Sequence, residues 1–66
     1  DREVESIVDA LESHGPQRRE DLGRLVGARY WGPSRFSAAL RAALAQGLVR
    51  RAGRNRFEPA SGAGGA

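Results

Sequence analysis

Three breaks divide this chain before anything else can be read from it. Gly15-Pro16, Gly32-Pro33 and Gly47 leave no uninterrupted stretch longer than about four helical turns in the first 47 residues, and Gly53 and Pro59 divide the remainder. Proline has no amide hydrogen and clashes with the preceding turn, while glycine readily takes the left-handed conformation that closes a helix. A long helix or coiled coil is therefore excluded. Short helices joined by tight turns remain.

The first stretch carries Val4, Ile7, Val8 and Leu11 at the i, i+3, i+4, i+7 spacing of an amphipathic helix, with Glu3, Glu5, Asp9 and Glu12 off that stripe. These carboxylates read as a solvated helix face rather than an acid/base pair. His14-Gly15-Pro16 ends the helix, with His14 as a residue stabilised by the helix dipole at the C-terminus. A second helix is expected from about Arg18 to Ala28, with Leu22, Leu25 and Val26 inward and Glu20 and Asp21 in its first turn. Its N-cap is poor, because Gln17 or Arg18 stands where a short polar side chain belongs. Gly27 or Gly32 closes it. The third helix opens at Gly32-Pro33-Ser34 and runs to about Gln46 before Gly47. At 100° per residue, Phe36, Leu40, Ala43, Leu44 and Gly47 form its inner stripe. Ser34, Arg35, Ala38, Arg41, Ala42 and Ala45 lie outward, small residues with arginines among them. After Gly47, Leu48 to Arg51 reads as a strand, Ala52 to Asn55 as a turn and Arg56 to Glu58 as a returning strand, with Val49 and Phe57 inward. The domain is expected over 1–58, followed by a flexible Gly/Ala/Ser tail over 59–66.

Charge separates the two parts of the chain. Residues 1–21 hold seven carboxylates against three arginines, a net of −4, and residues 22–66 hold eight arginines against Glu58, a net of +7. All basic residues are arginine, which a GC-rich genome would also produce, but arginine is the side chain that grips phosphate and guanine edges with two parallel hydrogen bonds. Four of them, Arg50, Arg51, Arg54 and Arg56, surround the hairpin turn.

Other functions find little support. At 66 residues the chain buries only about 60% of its unfolded surface, which leaves little room for a deep cleft. It has no cysteine, one histidine and no glycine-rich phosphate loop, so an enzyme, a metal site and a cofactor are not expected. No apolar run approaches the roughly 20 residues of a membrane span. The opening residues do not resemble a signal peptide, and the start at Asp1 reads as an excised or processed domain.

The order helix, turn, helix, turn, longer helix, basic hairpin resembles the winged helix-turn-helix family. The residues carrying the resemblance are Gly15-Pro16, the run Asp21-Leu22-Gly23-Arg24-Leu25-Val26-Gly27, the junction from Leu44 to Arg51, and Gly53-Arg54-Asn55-Arg56-Phe57. The resemblance covers residues 3–58. The resemblance implies a mainly α fold with a small β-hairpin, three helices and a wing. It also implies a double-stranded DNA partner, with the third helix in the major groove and the wing on the backbone or minor groove. The positions carried over are Ser34, Arg35, Ser37, Ala38 and Arg41 on the helix and Arg51, Arg54, Asn55 and Arg56 on the wing. Trp31 is expected to pack in the core or to reach a phosphate beside that helix. A bacterial transcription regulator or nucleoid-associated protein, cytoplasmic and on the nucleoid, fits this picture. So does a dimer or a further domain, since one module gives limited affinity. The competing reading is a protein-interaction domain that uses Ala38, Ala42 and Ala45 as a helix-packing face.

Overall fold

The structure, a computed structural model, describes residues 2–60. It contains three helices, α1 (Arg2–His14), α2 (Arg19–Val26) and α3 (Pro33–Ala45), and three strands, β1 (Gln17–Arg18), β2 (Val49–Arg51) and β3 (Arg56–Pro59). The fold is mainly helical with a small antiparallel sheet, compatible with a winged-helix arrangement.

In α1 the spacing expected from the sequence holds: Val4, Ile7 and Leu11 are buried and Val8 packs partly against them. The acids Glu3 and Glu5 lie in its first turn and His14 in its last, each where the helix dipole favours it. The Gly15 amide donates to the Leu11 carbonyl at 2.7 Å, and the Gln17 side-chain amide donates to the His14 carbonyl at 3.3 Å. Two carbonyls near the helix end thereby gain partners.

The expected hairpin is part of a three-stranded sheet. β1 was not anticipated; it pairs with β3, giving the order β1-β3-β2 with β3 in the centre. Two residues give too little alternation to be seen in a sequence, and β1 exists because β3 is there to pair with it. It also solves the capping problem of α2. No side chain caps that helix. Instead the Arg19 amide donates to the Asn55 carbonyl at 3.0 Å, so the wing turn satisfies one of the first-turn donors.

α2 is shorter than the expected Arg18–Ala28. Gly27, at φ 71 and ψ 38, closes it with a left-handed cap, and Ala28–Tyr30 forms a separate 3-10 turn. Only Leu22 of its apolar face is fully buried; Val26 is partly buried, and Leu25 remains 42% exposed. A two-turn helix presents one side to α1 and α3, and Leu25 falls beside that contact rather than within it.

α3 ends in a Schellman motif. The Gly47 amide, at φ 77, donates to the Leu44 carbonyl at 3.1 Å, and the Leu48 amide to the Ala43 carbonyl at 3.0 Å. This closure turns the chain directly into β2. The buried side of α3 comprises Phe36, Ala39, Leu40 and Ala43. It is rotated by about 35° from the expected stripe. Ala39 comes in, Leu44 is only partly buried and Gly47 is exposed. The cause is α1, which packs closely against α3 on the Ala39 side, where a small side chain permits approach. Val49 and Phe57 close the core from the sheet, as their inward placement in the sequence implied. Each buried side chain of this size contributes about 1.5–3 kcal/mol by leaving water.

The ordered chain also continues past the expected boundary at 58. Pro59 belongs to β3 opposite Val49, at a strand end where a missing amide is tolerated, and the Ala60 amide donates to the Leu48 carbonyl at 3.1 Å. The remainder of the expected tail, 61–66, lies outside the described residues. Among the described residues no helix is long and apolar enough to cross a membrane.

Candidate nucleic-acid interface

Strand pairing decides which way each wing arginine faces. Partners across an antiparallel ladder lie on the same face of the sheet. Arg51 is opposite the buried Phe57 and so belongs to the inner face, beside α3. Its guanidinium carbon lies 5.6 Å from the Phe57 ring centroid. Arg50 is opposite Glu58 on the outer face and pairs with it at 2.8 Å. Arg50 and Arg51 therefore face opposite sides of β2, and Arg51 is the one on the α3 side.

Between α3 and the wing runs a shallow groove. Its polar rim is Arg19, Ser37, Arg41, Arg51 and Asn55, and Leu40, Leu44 and Phe57 form its floor. Among the described residues the ion pairs are Arg24–Asp21, Arg35–Glu3 and Arg50–Glu58. Arg19, Arg41, Arg51, Arg54 and Arg56 take part in none of them. The groove therefore gathers three guanidinium groups on one wall-to-wall surface with no carboxylate in its lining.

Arg19 was not among the expected site residues. Its guanidinium donates to the Ser37 hydroxyl oxygen at 2.5 Å and lies 5.2 Å from the Phe36 ring centroid. The Arg19 donor occupies a lone pair of Ser37, which leaves the hydroxyl hydrogen free to donate elsewhere. Arg18 and Arg19 lie in the acidic part of the sequence, residues 1–21, where the net negative charge masks them. The signal that could have found them is the Arg18-Arg19 pair at the start of the second helix, one residue beyond Gly15-Pro16.

The expected positions on α3 divide between its two flanks. Ser34, Ala38 and Arg41 are exposed, Ser37 is half-buried, and Ser37 and Arg41 line the groove. Arg35 lies on the other flank, where it pairs with Glu3 of α1 at 2.5 Å. It is thus drawn away from the groove and paired with a carboxylate. Ala42, counted with the outward residues, is partly buried against the core, which leaves Ala38 and Ala45 as the exposed alanines of that face.

On the wing, Arg54 and Asn55 are exposed in the turn. Asn55 takes φ 60, a left-handed conformation that asparagine tolerates better than most residues. The turn is held by the Ala52 amide donating to the Arg56 carbonyl at 2.9 Å. Arg56 is exposed on the outer face and lies away from the groove. Trp31 packs against the core, its ring centroid 6.2 Å from that of Phe36 and tilted by 48°. Of its two expected uses, packing is the one with a contact behind it. Its neighbour Tyr30 is 83% exposed, with the Arg29 guanidinium 5.2 Å from its ring centroid.

A groove lined by three arginines thus lies between α3 and the short hairpin. No protein-family model, curated protein or solved structure matches the chain.

Proposed function

We propose that this domain binds double-stranded DNA, with the exposed side of α3 in the major groove and the wing on the backbone or the adjacent minor groove. The observation that carries the reading is the convergence of Arg19, Arg41 and Arg51 on a groove whose lining holds no carboxylate. Three cations at close quarters repel one another, and a phosphate backbone removes that repulsion while releasing its own counterions. Ser34 and Arg41 are the base-edge candidates, Ala38 leaves room for close approach or for a thymine methyl, and Arg54, exposed in the turn, is the candidate for a narrow minor groove. No chemistry is involved. A bacterial transcription regulator or nucleoid-associated protein, acting as a dimer or with a further domain, is the setting this role fits.

The test is an amide NMR titration with a short A·T-rich duplex and a G·C-rich one. Shifts are expected at 34–41, at Arg19 and at 50–56. Neutralising five phosphates gives a slope of log affinity against log salt of about −4.5, at roughly −0.9 per phosphate. A slope near zero, or no shifts at low salt with either duplex, overturns the reading. The second reading, a protein partner, draws on the exposed Ala38 and Ala45 and on the exposed acids Glu5, Asp9 and Glu12 of α1. Reversing the charges of Arg35, Arg41 and Arg54 separates the two. DNA binding is lost under the first, and partner binding survives under the second unless the partner is acidic.

A further inference from the structure

The outer face of the sheet, turned away from the groove, holds an arrangement that the groove does not explain. Arg18 of β1 is directly opposite Arg56 of β3, and both are exposed. The hydrogen bond from the Arg19 amide to the Asn55 carbonyl flanks this pair. That pattern makes Arg18 and Arg56 a pair without hydrogen bonds between them, the kind in which opposed side chains come closest. Like charges directly opposite each other destabilise a ladder. The nearby carboxylate on this face, Glu58, is held by Arg50 at 2.8 Å. The sheet therefore presents two adjacent guanidinium groups, neither of them in an ion pair among the described residues.

We propose that Arg18 and Arg56 form a clamp for one phosphate of a DNA strand, a second anion site separated from the groove by the thickness of the sheet. Two planar guanidinium forks can share the two non-bridging oxygens of a phosphodiester, each through charge-assisted hydrogen bonds. The wing then carries cations on both faces, Arg51 towards α3 and the clamp outward, so it sits between phosphates rather than on one line of them. The clamp rests on the DNA reading for the source of its phosphate, and its chemistry can be tested without DNA.

Two measurements decide it. In the first, duplex affinity is followed against salt for the wild type, Arg18→Gln, Arg56→Gln and the double variant. A shared phosphate predicts that the double variant loses about one phosphate's worth of slope, roughly 0.9. It also predicts that each single variant loses less than the double one, because the remaining guanidinium still holds the phosphate. Unchanged slopes overturn the clamp, and so does a double variant that loses about 1.8, since that means two separate contacts. Thermal melting checks that the variants fold. Relief of like-charge repulsion predicts melting temperatures at or above the wild type, whereas a purely structural pair would lower them. In the second, melting in inorganic phosphate is compared with chloride at equal ionic strength. The wild type is expected to gain stability from phosphate, and the double variant to lose that gain. If the wild type binds no duplex, the DNA reading falls and the phosphate series alone decides the clamp: a gain that the double variant loses supports it, and equal behaviour overturns it. If the wild type binds, the duplex series decides.

Discussion

The two flanks of α3 carry the same kind of side chain and treat it in opposite ways. On the flank towards α1, Arg35 meets Glu3 and its charge is met inside the molecule. On the flank towards the wing, Arg41 meets Arg51 and Arg19, and its charge is left for something outside. Both arginines are exposed and both are spaced as outward residues of one helix. What distinguishes them is the neighbour each flank acquires when the chain closes up: an acidic helix on one side, a basic hairpin on the other. A helical wheel ranks positions by angle; it cannot rank them by availability.

The largest way to disturb this division is through the residue beneath the wing flank. Phe36 is buried and supports both Trp31 and the Arg19 guanidinium. Phe36→Ala is expected to lower unfolding free energy by about 3–5 kcal/mol in urea denaturation. That is much of the stability of a domain this size, at roughly 0.05–0.15 kcal/mol per residue. A loss below about 1 kcal/mol would mean that the flank has another foundation.

The flanks themselves are compared by charge reversal. Arg41→Glu with Arg51→Glu is expected to weaken duplex binding by about 100-fold or more at low salt, close to 3 kcal/mol. Arg35→Glu is expected to cost roughly tenfold at most, since its charge is already matched. Equal losses by fluorescence anisotropy would erase the distinction between the flanks.

Smaller effects are expected at the wing turn and at the Arg35 pair. Asn55→Ala places a less tolerant residue at φ 60 and should cost about 1–2 kcal/mol of stability, while Asn55→Gly should be nearly neutral. The bond to the Arg19 amide uses the backbone carbonyl and survives both changes. Two similar melting temperatures would show that the turn relaxes. Last, Glu3→Gln releases Arg35. A surface pair of this kind contributes about 0.2–1 kcal/mol, so stability should fall slightly while duplex affinity rises. A fall in affinity would mean that Glu3 positions Arg35 for binding instead of withholding it.

Much of the fold was legible because its signals are local. The stripe of α1, the proline at the start of α3 and the stop at Gly47 each depend on residues within a turn or two of one another. The inward placement of Val49 and Phe57 follows from strand alternation alone. The misplaced features are those that depend on a distant partner. Leu25 has helical spacing but no second layer above it, and Ala39 is buried only because α1 approaches that side of α3. β1 is two residues long and takes its conformation from β3, some forty positions away in sequence.

The candidate site divides along the same line. Ser37, Arg41, Arg51 and Asn55 were expected from sequence and line one groove. Arg35 and Arg56 were expected with them and lie elsewhere, and Arg19 joined without being anticipated.

By itself the sequence determined the number and order of helices, their stops, the hairpin and the excess of arginine in the later part of the chain. These follow from backbone conformational preference, hydrophobic period and composition, which act over a few residues. The tertiary structure decided the cap of α2, the rotation of α3 and which arginines stand together without a carboxylate. Those depend on distances between segments remote in sequence, and electrostatic pairing falls off too quickly with distance to be read from anything but the folded chain.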